Sequence, residues 1–83
     1  NMYSEQPAGP VLGAYAGPGM TWPVFSEADV KARLIEAKEL PLKSDRDTMR
    51  GFIILIAERY GWTNALPSDM RGNAGEYLNE SAG

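Results

Sequence analysis

Apolar positions recur with the period of an α-helix in the middle of the chain, and the first such stretch covers residues 26–40. Ser26 is a good N-cap, and Asp29 three residues later resembles the acidic member of a capping box. Pro41 ends the predicted helix, because the residue before a proline avoids the α region. Its main apolar face is made of Val30, Leu34 and Ala37.

The second helical stretch covers residues 44–60 and is apolar on nearly every side. Ser44 and Asp47 repeat the capping pattern, and Gly61 is typical of a helix C-terminus. A buried strand over 52–57 is the competing interpretation, since isoleucine favours strands. The capping residues and the closing glycine favour the helix. The residues predicted to share its core-facing side are Met49, Phe52, Ile53, Ile56 and Tyr60.

A helix that is apolar all round is buried on more than one side. The rest of the chain supplies few large apolar residues to cover it. We expect Phe52, Ile53 and Ile56 to be almost inaccessible to solvent in the core. Ile54 and Leu55 point away from that face, so we expect them to bind a second copy or another protein.

Residues 1–24 contain many prolines and glycines, carry a single charge and show no regular period. Tyr15 and Trp22 lie in this segment, and side chains of these types concentrate binding energy at interfaces. We predict that both contact a partner or the chain's own surface, and a disordered arm is the competing interpretation. The predicted organisation is an extended arm over 1–24 and a small all-α domain over 25–83. That domain has two main helices and a short helical segment near the C-terminus.

The composition excludes most enzyme chemistry. The chain has 83 residues, with no cysteine and no histidine, so disulfides, thiolate metal sites and the usual general base are all missing. Residues 13–19 are rich in glycine but lack the Gly-Lys-Ser/Thr ending of a phosphate-binding loop. We therefore predict no catalytic residue, no cofactor, no metal and no small-molecule substrate, and we expect a protein that is not an enzyme.

Charge and hydropathy limit the other partners. The net charge is −3, with acids and bases interspersed, which does not favour nucleic acid. The longest apolar run covers 52–57, far short of the ~20 residues that span a bilayer. The N-terminal sequence lacks a basic region followed by an apolar stretch. These features lead us to expect a cytoplasmic protein that does not enter membranes.

The predicted function is a protein–protein interaction module that binds a partner protein or itself. The small size and general character of the sequence suggest a phage or mobile-element accessory protein, an inhibitor or an effector domain. Its predicted contact residues are Tyr15, Trp22, Ile54 and Leu55.

The alternative rests on a resemblance. The order of MTWPVF, the helix SEADVKARLIEAKEL, a brief loop and an apolar helix resembles the layout of ribbon-helix-helix DNA binders. The resemblance implies a short strand that pairs with its twin and reads the major groove, and a second helix in the dimer core. Pro23 would remove a hydrogen bond from such a ribbon, and residues 20–25 carry no Arg, Lys, Asn or Gln to read bases.

Overall fold

The computed structural model describes residues 12–82 and shows three helices with a two-stranded antiparallel sheet. The all-α prediction is therefore wrong, although helices make up most of the described chain. The elements in chain order are β1 (Ala14–Gly17), β2 (Thr21–Val24), α1 (Glu27–Lys38), α2 (Lys43–Tyr60) and α3 (Ala74–Ala82).

The β-hairpin lies in the segment predicted to be an extended arm. Ala14 pairs with Val24 and Gly17 pairs with Thr21, and a single 3₁₀ turn over Pro18–Met20 joins the strands. Ala16 and Val24 are buried in the same core as the helices. The hairpin therefore packs on the helical part of the chain. The beginning of the predicted arm, residues 1–11, lies outside the described residues.

Helix α1 begins as the sequence predicts. The Ser26 hydroxyl accepts a hydrogen bond from the Asp29 backbone N–H at 3.2 Å, and the Asp29 carboxylate accepts one from the Phe25 N–H at 3.0 Å. The Arg33 guanidinium then donates to the Pro23 carbonyl at 3.4 Å. This last bond ties α1 to β2 and fixes the hairpin against the helix.

Helix α2 begins one residue earlier than predicted, and its N-terminus is not capped by a side chain. Leu42 occupies the N-cap position, so the prediction of Ser44 as the cap is wrong. Asp47, expected to take part in capping, is buried and pairs instead with the Lys43 ammonium at 2.6 Å. Gly61 has a φ of +79° and ends the helix as predicted.

The core surrounds α2, which the hairpin, α1 and α3 all contact. Helix α3 crosses α2 at Gly51, where an added Cβ would lie 2.5 Å from Leu78 Cγ. The lack of a side chain at Gly51 lets Leu78 of α3 pack directly on α2, so that a larger residue there would displace Leu78. Ile53 and Ile56 are buried as predicted. The predicted C-terminal helical segment is also confirmed, and it folds back onto α2.

Within residues 12–82, no helix combines the length and the apolar character needed to cross a membrane.

Candidate functional site

The candidate site is the side of α2 on which two large apolar side chains are exposed in the described part of the chain. Phe52 is 41 % exposed and Leu55 is 44 % exposed, although both lie in the apolar run in the middle of α2. Their neighbours on the same side lie one turn away in each direction. We call this face the α2 strip, and it consists of Asp45, Thr48, Phe52, Leu55 and Arg59.

The spacing of the α2 strip alternates between three and four residues, as in the seam of a coiled coil. Such positions follow one side of a helix along its whole length. The strip therefore has an aromatic and an aliphatic side chain at its centre, an acid near the helix N-terminus and a base near its C-terminus. A strip of this kind can bind a second apolar helix face.

Two predicted side-chain orientations are wrong. Phe52 was expected in the core, but it belongs to the open side of α2. Ile54 was expected to face outward, but it is 0 % exposed. The reason is the position of α3: Ile54 follows Gly51 by three residues, so it lies on the side of α2 that α3 covers. Ile54 therefore cannot bind a partner from its place in this fold.

Trp22 lies at the N-terminal end of the α2 strip. Its half-buried indole lines a cavity of about 300 Å³, together with Leu40 and Met49. Asp45 and Thr48 of the strip line the same cavity. The hairpin therefore borders the strip, and an incoming side chain could contact both. This places one residue predicted from the arm next to the surface predicted from the helix.

Tyr15 lies elsewhere. It is exposed, and its ring meets the Phe25 ring edge to face, with the centroids 5.3 Å apart. The four predicted contact residues are thus distributed over different environments: Leu55 on the strip, Trp22 at its border, Tyr15 against Phe25 and Ile54 in the core. Partner binding by Tyr15, Trp22 and Leu55 remains a prediction.

The hairpin beside the strip is held in an unusual backbone conformation. Met20 has a φ of +62° and Trp22 a φ of +59°, a region that side chains with a Cβ rarely adopt. Each such residue costs on the order of 1–2 kcal/mol. Trp22 is held by packing, since its indole lies against the position where a Cβ on Gly17 would be. Met20 is 76 % exposed, so little packing offsets the cost at this position.

The described residues show no arrangement for metal chemistry, because no three or more Asp or Glu side chains within 12–82 converge on a site for an ion. The strip instead presents an apolar surface, with Asp45 at one end and Arg59 at the other. The sequence did contain the signal for this face. The alternating spacing from Asp45 to Arg59 passes through Phe52 and not through Ile54.

The architecture is that of a small mixed domain in which a β-hairpin and three helices share one core. We compared the chain with protein-family models, with curated proteins and with solved structures, and none of them matches it. The ribbon-helix-helix layout requires a strand that pairs with its twin, whereas β2 pairs with β1 of the same chain.

Proposed function

We propose that this protein is a non-enzymatic interaction module that binds another protein surface through the α2 strip. The observation that supports it is the exposure of Phe52 and Leu55 on a helix whose isoleucines and Met49 are buried against the rest of the fold. Scattered apolar residues are normal on a protein surface. Two neighbouring large ones, one turn apart and bordered by a cavity, form a continuous surface that a partner helix can cover.

The energy available from the α2 strip is modest. Complete burial of a Phe or Leu side chain stabilises by about 1.5–3 kcal/mol. More than half of each of these two side chains is already covered in the fold. Covering the remainder contributes on the order of 2 kcal/mol for the pair. We therefore expect reversible association, strengthened by contacts around Phe52 and Leu55.

Two substitutions of the same type test the proposal. Leu55→Lys places a charge at the centre of the α2 strip, whereas Ile35→Lys places one on α1 at a residue that is 61 % exposed. We expect Leu55→Lys to abolish protein association and Ile35→Lys to leave it intact. Both variants should keep the helical circular dichroism of the parent, because neither side chain is buried.

The measurement uses the full chain as bait in an extract of cells that express it. Quantitative mass spectrometry compares the proteins retained by the parent and by each variant, with a differently tagged copy of the chain added to detect self-association. Proteins retained by the parent and by Ile35→Lys but lost from Leu55→Lys support the proposal. An identical set retained by all three chains contradicts it.

A cytoplasmic setting and an origin in a phage, mobile element or effector system belong to the same proposal. The lack of cysteine is compatible with a reducing compartment.

A further inference from the structure

We propose that the partner of the α2 strip is a second copy of this chain, bound with the two α2 helices antiparallel. This inference rests on the proposed function because it uses the same strip. It adds the identity of the partner and the direction in which the helix of that partner runs. The argument comes from the order of apolar and charged residues along the strip.

The apolar centre of the strip is complementary to itself. In an antiparallel pair related by a two-fold axis, residues that precede the axis on one helix face residues that follow it on the other. An axis between Phe52 and Leu55 therefore packs each Phe52 against Leu55 of the second copy. The two-fold axis repeats this contact, so the exposed Phe52 and Leu55 side chains of both copies are covered.

The charged ends of the strip are complementary in the same arrangement. With the axis between Phe52 and Leu55, Arg59 lies opposite Thr48 of the second copy. Asp45 of that copy is one helical turn further, about 4.5 Å along the axis, within reach of a long arginine side chain. The symmetry repeats this pair, so each dimer contains two ion pairs between Asp45 and Arg59.

Both charges are available for this contact. Asp45 and Arg59 are exposed, and neither forms an ion pair with another of residues 12–82. The guanidinium carbon of Arg59 lies 5.8 Å from the centre of the neighbouring Tyr60 ring, and the residue is exposed. A parallel pair would instead set Asp45 against Asp45 and Arg59 against Arg59, and both contacts are repulsive. The distribution of charge therefore selects the antiparallel direction.

The predicted dimer is weak. An interface centred on one helix face is smaller than the standard size of about 1,600 Å², and small interfaces are typical of transient association. We therefore expect dissociation in the micromolar to millimolar range. The association must be measured over concentrations from about 10 µM to about 1 mM.

The test is a charge-reversal experiment by sedimentation velocity on the full chain. Asp45→Arg leaves two bases on each strip, and Arg59→Asp leaves two acids. We expect each variant alone to dimerise about tenfold more weakly than the parent, because two exposed ion pairs become two repulsive contacts. An equimolar mixture of the two variants should recover dimerisation, since every Asp-Arg contact is then restored between unlike chains. Ile35→Lys serves as the control and should dimerise like the parent.

The outcomes separate this inference from the proposed function. Weaker dimerisation of each variant alone, with recovery to the level of the parent in the mixture, supports antiparallel pairing. In a parallel pair each variant alone would dimerise like the parent, because like charges meet at both ends in all three chains. A second outcome is that Leu55→Lys abolishes dimerisation but neither charge reversal changes it. That result overturns the antiparallel register and leaves the strip as the contact surface. A parent chain that stays monomeric at about 1 mM overturns the inference, and another protein is then the remaining candidate for the strip.

Discussion

The two sides of α2 both carry large apolar side chains, but those side chains lie in different environments. On one side Ile53, Ile54 and Ala57 have no exposed surface, because the hairpin, α1 and α3 cover them. On the other side Phe52 and Leu55 remain more than two-fifths exposed. The difference shows that the apolar character of a helix does not by itself indicate how much of it needs a partner. Within residues 12–82, the buried side chains of α2 lie on one side of the helix, and the strip holds its two exposed large apolar side chains.

The largest expected effect is the difference in stability between alanine substitutions at two adjacent residues, one on each side of α2. Ile54→Ala should lower the free energy of unfolding by about 2–5 kcal/mol, because it leaves a cavity in the core. Leu55→Ala should lower it by less than about 1 kcal/mol, because its side chain is partly solvated already. Urea denaturation of the two variants measures the difference. Equal losses would mean that the two sides of α2 are equally buried.

The contact between α2 and α3 gives an intermediate effect. Gly51→Ala improves helix propensity by about 1 kcal/mol but overpacks the crossing against Leu78, at a cost of about 1–3 kcal/mol. We expect a net loss of about 1 kcal/mol.

Gly75→Ala is the matched control, since no atom lies within 4 Å of its added Cβ and its φ is not positive. It should stabilise α3 by up to about 1 kcal/mol. Thermal melts of both variants give the signs. Stabilisation by Gly51→Ala would show that α3 does not approach α2 closely, so that Ile54 would lose its cover.

The smallest effect concerns the hairpin that borders the strip. Met20→Gly should stabilise the fold by up to about 1 kcal/mol, because glycine adopts a φ of +62° without steric strain and Met20 has little packing to lose. Met20→Ala retains the strain and should bring no gain. A lower melting temperature for Met20→Gly than for Met20→Ala would contradict the left-handed conformation. Because Met20 lies in the hairpin, neither variant changes a side chain on the buried side of α2.

The sequence predicted local features of the fold, such as helix ends, better than it predicted which faces of the helices are buried. The Ser26 cap, the Gly61 terminus and the return of the C-terminal segment onto α2 are confirmed. The hairpin was not predicted, because each strand has only four residues, Pro23 lies within β2 and Trp22 has a positive φ, so no regular strand pattern is visible in the sequence.

The candidate site was predicted in part. Leu55 is exposed as expected, and its role in binding remains a prediction. The environments of Phe52 and Ile54 are the reverse of those predicted, and the reason lies in the tertiary packing. The polar residues Asp45, Thr48 and Arg59 share the side of Phe52, but the sequence pattern does not show where α3 crosses α2. The close contact at Gly51 places α3 toward the side of Ile54.

Thiol accessibility tests the contrast between the two sides of α2 most directly. The chain contains no cysteine, so a single introduced thiol reports on one position without background. We expect the dilute Leu55→Cys variant to react with iodoacetamide nearly as fast as the same variant unfolded in urea. The Ile54→Cys variant should react at least about a hundredfold more slowly, since its thiol is reached only when the structure opens. Equal alkylation rates for the two folded variants would contradict the division of α2 into a covered side and an open strip.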